Sequence, residues 1–104
     1  MKTFSHIGIP TNVARDGENY MADAKLYVTD FSQSENCIEW LRFEDGSPMP
    51  ELLQTSAHVA FMVDDIAKEM EGKEVLLEPF SPAEGLTIAF IVDDGAPVEL
   101  MQEG

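Results

Sequence analysis

The chain has 104 residues, with 6 Lys+Arg against 20 Asp+Glu and a formal charge of −14. That length suits one domain, and 44% hydrophobic residues supply a core, so wholesale disorder is excluded. The scattered cations exclude a nucleic-acid or anionic-membrane surface, because phosphates need clustered Lys and Arg.

In chain order, Phe4 to Ile9 reads as a strand. The stretch from Pro10 to Lys25 has no helical periodicity. Lys25 to Thr29 is a second strand, Asp30 to Glu35 a polar loop and Cys37 to Phe43 a third strand. Ser47 to Leu53 reads as a linker ending in a helical turn. His58 to Val63 is a β-rich strand, followed by the N-capping pair Asp64-Asp65 and a helix from Ile66 to Glu71 that Gly72 stops. Glu74 to Glu78 is a strand ended by Pro79, and Ser81 to Gly85 is a loop. Leu86 to Asp93 and Val98 to Gln102 form a hairpin through Asp94-Gly95. Lone Cys37 has no internal disulfide partner and reads as a small buried residue in a reducing compartment. The N-terminus does not read as a signal peptide, and no segment reaches the roughly 20 apolar residues of a membrane span. The expected setting is cytoplasmic.

The halves repeat. His6-Ile7-Gly8-Ile9 matches His58-Val59-Ala60-Phe61, Cys37 to Leu41 matches Pro97 to Met101, and Leu26 to Asp30 resembles Phe90 to Asp94. The first module (about 1–46) joins the second (about 56–104) through a linker at 47–55. The spacing from His6 to Glu39 is 33 residues and from His58 to Glu99 it is 41, so the first copy is shorter by 8. The missing material belongs to its helix, its second strand, or both.

Strand alternation places His6 with Phe4 and Gly8, and His58 with Ala60 and Met62. Glu39 falls with Cys37, Leu41 and Phe43, and Glu99 with Pro97 and Met101. A carboxylate inside an apolar strand is costly unless it is paired or ligates a cation. Two imidazoles and two carboxylates at repeat-equivalent positions therefore point to a divalent-metal site of His6, Glu39, His58 and Glu99. That donor set suits Zn²⁺, Ni²⁺, Mn²⁺, Fe²⁺ or Co²⁺. Tyr27, Met62 and Met101 are candidates to line a substrate pocket. Trp40 reads as core, and Arg42 as a solvated strand end.

The pattern His6 … Glu39 … His58 … Glu99, in two strand–helix–strand–strand–strand units, resembles the vicinal oxygen chelate superfamily of glyoxalase, extradiol dioxygenases and bleomycin-resistance proteins. The resemblance implies an α+β fold of two βαβββ modules forming an incompletely closed eight-stranded barrel, here with an abbreviated first module. It implies that His6, Glu39, His58 and Glu99 ligate the metal and that Glu99 or Glu39 moves a proton. The implied activity is that of a metal-dependent lyase or isomerase, with a ring-cleaving dioxygenase as the next choice. Such an enzyme chelates a small substrate through adjacent oxygens and stabilises an enediolate-type intermediate. The alternative is a non-catalytic binder of the bleomycin-resistance type. A homodimer is expected, because the abbreviated module leaves sheet edges and apolar faces uncovered.

Overall fold

The computed structural model describes residues 2–104. Its strands are β1 (Lys2–Pro10), β2 (Asn19–Met21), β3 (Leu26–Val28), β4 (Ile38–Phe43), β5 (His58–Val63), β6 (Glu74–Ala83), β7 (Leu86–Asp93) and β8 (Ala96–Glu103). The helices are α1 (Glu51–Thr55) and α2 (Ile66–Met70), with short 3₁₀ turns at Ala22–Ala24 and Phe31–Gln33. All eight strands form one curled α+β half-barrel in the order β2-β3-β4-β1-β5-β8-β7-β6. The barrel is incompletely closed, as expected, since β2 and β6 each keep a free edge.

The two modules meet at the antiparallel β1–β5 ladder. Ile7 faces Val59, His6 faces Ala60 and Gly8 faces His58. A pseudo-twofold axis therefore runs through the Ile7–Val59 pair. On either side β1 pairs parallel with β4, and β5 pairs parallel with β8.

In the second module α2 covers the outer face. Asp65 caps it by accepting from the Lys68 amide, and Gln102 Oε1 accepts from the Ile66 amide. Ile66 packs with Val63, Ala89, Ile91, Val98 and Leu100, and Met70 borders that cluster. On the inner face Leu53 of α1 packs with Ala60, Ile88, Phe90 and Met101. Removing a side chain as buried as Leu53 typically costs about 2–5 kcal/mol.

The first module keeps all four strands but has no helix between β1 and β2, and β2 spans 3 residues where β6 spans 10. Both the helix and the second strand account for the shortening. The uncovered outer face carries half-buried Ile7, Ile9, Ile38 and Trp40, with Phe4 and Val13 exposed. Two cations lie over aromatic rings there and a third over Phe61 on neighbouring β5. Lys2 sits 4.6 Å from the Phe61 ring, Arg15 3.8 Å from Trp40 and Arg42 4.1 Å from Tyr27. Cation–π contacts thus take over part of the covering done by α2 in the other module.

Several expectations are corrected. Trp40 is half-buried under Arg15 rather than central in the core. Arg42 is not a free strand end, because it donates twice to Glu18 at 2.7 and 2.9 Å. Cys37 is half-buried and left-handed (φ 58°). Strand β6 does not end at Pro79 but runs through Pro82 to Ala83, with register shifts along the way. It is an edge strand, where a residue without an N–H leaves no ladder bond unmade on the free side. Ladder register makes Leu26 equivalent to Leu86 rather than Phe90, since Phe43 opposes Leu26 as Glu103 opposes Leu86. Finally, the β1 register shifts between Phe4 and His6. Phe4 thereby pairs with Phe61 on the outer face, and only His6 and Gly8 stay on the inner one.

The Asp94-Gly95 hairpin is as expected: both residues have positive φ (53° and 78°), the conformation of a two-residue type I′ turn. Among the described residues no helix is long and apolar enough to cross a membrane.

Candidate metal centre

The four central strands, β4, β1, β5 and β8, each contribute one polar side chain to the inner face. Glu39, Gly8 and His58 lie in one cross-strand row, and His6, Ala60 and Glu99 in the next. Each row has a carboxylate at one end, an imidazole at the other and a small residue at its middle strand position. The small residues leave room for the longer chains to converge. A Cβ at Gly8 would stand 2.1 Å from His58 Cε1, so the imidazole occupies the space of the missing side chain. Gly8 was not singled out in the sequence. Its signal was there, as a glycine interrupting an apolar strand, which marks a close approach.

His6 Nε2 lies 3.3 Å from Glu99 Oε1 and 3.5 Å from Glu39 Oε1. His58 Nε2 lies 3.1 Å from Glu99 Oε1 and 3.9 Å from Glu39 Oε1. One donor atom from each residue lies within 4.8 Å of the others. Ligands about 2.1 Å from a common ion stand roughly 3.0–4.2 Å apart, so this set could hold a divalent cation. His6, His58 and Glu99 are buried, and the Glu39 side chain is 17% exposed. His6 Nε2 is buried with no hydrogen bond of good geometry, as expected of an atom kept for a ligand.

Electrostatics tie the four together. Burial alone would lower the His6 pKa, but the Glu39 and Glu99 carboxylates facing the ring outweigh it and lift the value from 6.5 to about 9. For Glu99 burial works toward a higher value, and the two histidines overcome it, holding the carboxyl below its ordinary 4.5. Without a cation, the two carboxylates favour the protonated form of His6.

The surrounding shell includes residues the sequence did not flag. Phe31, in the 3₁₀ turn before β4, stacks on His6 at 4.0 Å and 15°. Phe90 meets His58 edge-on at 5.2 Å. Met62 and Met101 lie on this face, packed with Ala60 and Phe90. Tyr27 does not join them. Its neighbours Leu26 and Val28 point inward, while Tyr27 points outward to Arg42 and Tyr20.

Two cavities lie elsewhere. One, of about 390 Å³, opens over Trp40 and Ile38 beside Arg15, Asp16 and Asp30. The other, of about 540 Å³, lies beside Pro10, Phe43, Glu44, Ser47 and Gln54.

No protein-family model matches the chain, and no curated protein matches it. Among solved structures it is similar to a hypothetical protein from Bacillus halodurans, at 19% identity and a TM-score of 0.74. The alignment covers 99% of this chain and 95% of that one. At that identity the likeness speaks for the fold alone.

Proposed function

We propose that this chain is a small metal-dependent enzyme of the glyoxalase type within the vicinal oxygen chelate group, a lyase or isomerase acting on a small oxygen-rich substrate. The observation that carries the reading is the convergence of two imidazoles and two carboxylates, from repeat-equivalent positions, within 4.8 Å of one another. His6, Glu39, His58 and Glu99 would hold the ion, which when bound supplies Lewis acidity to a substrate oxygen.

The two carboxylates divide the work. Glu99 is the anchor: it is 6% exposed, contacts both histidines at 3.1 and 3.3 Å, and its depressed pKa makes it a poor base. Glu39 has longer contacts and reaches solvent, so it is the group that moves a proton. Phe31 and Phe90 pack on the two histidines, and Met62 and Met101 extend that apolar surface on the same face.

The test is metal content by elemental analysis, followed by chelation and reloading. A purified protein that holds no divalent ion and takes none up sinks the proposal.

A second reading, a non-catalytic small-molecule binder of the bleomycin-resistance type, has one observation behind it. Both cavities, about 390 and 540 Å³, are large enough for a small ligand and lie away from the quartet. A thermal-shift panel separates the two, with divalent ions stabilising the enzyme and only organic ligands the binder. The proposal includes a homodimer, supported by the two free sheet edges and by exposed Phe4 and Val13. Light scattering of the purified chain decides it, and a monomer at all concentrations removes this part.

A further inference from the structure

The two histidines are held in different ways. His58 is wedged over Gly8, where any Cβ would collide with its ring, and Phe90 backs it edge-on. Its Nδ1 is buried and has no hydrogen-bond partner. The residue before it, Ala57, has no polar side chain to offer. Packing and the Nε2 contact to Glu99 at 3.1 Å fix this ring, with nothing bonded at Nδ1.

His6 has no such slot. Its cross-strand neighbour is Ala60, which carries a Cβ. Phe31 stacks on one face of the ring, but a flat stack leaves a half-turn about Cβ–Cγ, which would put Cε1 in the place of Nε2, unopposed. What opposes it is a hydrogen bond: Ser5 Oγ lies 3.0 Å from His6 Nδ1. Ser5 stands where the β1 register slips, between Phe4 and His6. Bulges of this kind re-aim side chains beside functional sites.

We propose that Ser5 is a positioning residue, whose hydroxyl at the β1 bulge holds the His6 ring so that Nε2 faces the Glu39–Glu99 side, where it can ligate a cation without ring rotation. The inference rests on the metal-binding reading above. A hydroxyl suits the task because it accepts from Nδ1–H and also donates to a bare Nδ1. Ser5 Oγ therefore stays bonded to the ring whether Nε2 carries a proton, a lone pair or a metal. Groups that hold the far nitrogen of a metal-binding imidazole typically change metal affinity by about 10–100-fold when removed.

The test compares wild type, Ser5→Ala and Ser5→Thr. Isothermal titration with Zn²⁺ reads affinity, and proton NMR of the metal-free protein at neutral pH reads the His6 Nδ1–H resonance. Ser5→Ala is expected to keep the fold, weaken Zn²⁺ binding by about 10-fold or more, and lose or strongly shift the Nδ1–H resonance. Ser5→Thr, which keeps the hydroxyl, is expected to restore both. An unchanged resonance, or an affinity within a factor of about two of wild type in Ser5→Ala, overturns the proposal. So does a folded Ser5→Thr that behaves like Ser5→Ala. If Ser5→Ala does not fold, Ser5→Thr decides alone by the same two readouts. Wild type that takes up no divalent ion would remove the enzymatic reading, while the Nδ1–H resonance still judges whether Ser5 holds the ring.

Discussion

The imidazole of His58 lies in the space that a side chain at position 8 would fill, 2.1 Å from the ideal Cβ of Gly8. The smallest substitution in the sheet is therefore aimed at the quartet. Gly8→Ala forces the ring away from Glu99 or the strands apart, and overpacking of this kind costs about 1–3 kcal/mol. The expected result is a lower melting temperature and a loss of divalent-metal binding, read by thermal denaturation and titration calorimetry. Wild-type affinity in a folded Gly8→Ala would show that His58 does not need this position.

The two carboxylates are expected to fail differently. Glu99→Gln removes the closest carboxylate of both histidines from a buried position, where breaking an ionic partnership costs about 3–5 kcal/mol. Both stability and metal uptake should drop. Glu39→Gln, at a more open position, should keep most of the stability and bind metal more weakly, but lose turnover. Thermal melts, metal titration and activity on a found substrate distinguish the pair. Equal losses of stability in both variants would remove the division of labour.

The pH dependence has a definite sign. His6, raised from 6.5 to about 9, stabilises the metal-free fold fully below 6.5, and the contribution is lost as pH climbs through about 9. Glu99, lowered from 4.5, contributes above 4.5 and loses that contribution as pH falls further. From these two groups the metal-free protein is most stable between 4.5 and 6.5. A bound cation replaces the His6 proton, so the loaded protein should not share the alkaline decline. Melting curves with and without chelator across this range test it. Calorimetry in buffers of different ionisation enthalpy should also show proton release on metal binding at neutral pH.

Trp40 is the sole tryptophan, and Arg15 covers its ring. Arg15→Ala should expose the indole and shift its emission to the red, leaving the metal affinity unchanged because the site lies on the other face. A blue shift, or altered metal binding, would contradict the two-faced layout.

Much of this site was legible because duplication writes it twice. A histidine opening each unit and a glutamate in each last strand share neighbours, and the ladders confirm that Gly8–Glu39 and Ala60–Glu99 are equivalent pairs. The features that escaped depend on contacts distant in sequence. Pro79 and Pro82 read as strand breakers, and only an edge position lets β6 pass through them. The slip at Ser5 leaves no mark in residue order, yet it sends Phe4 to the outer face. Tyr27 was a candidate for its hydroxyl alone, and the β3–β4 ladder turns it to the outer face beside Arg42.

The cation lids have a consequence for the rest of the surface. Of the six basic residues, Lys2, Arg15 and Arg42 lie over rings on one face. Lys25, Lys68 and Lys73 remain among 20 carboxylates. Away from that face the protein behaves as a polyanion with its own counter-ion atmosphere, in which free divalent ions are enriched over bulk solution. Ions would thus gather around the molecule before meeting the four ligands, and the rate of loading should fall steeply as added monovalent salt thins that atmosphere.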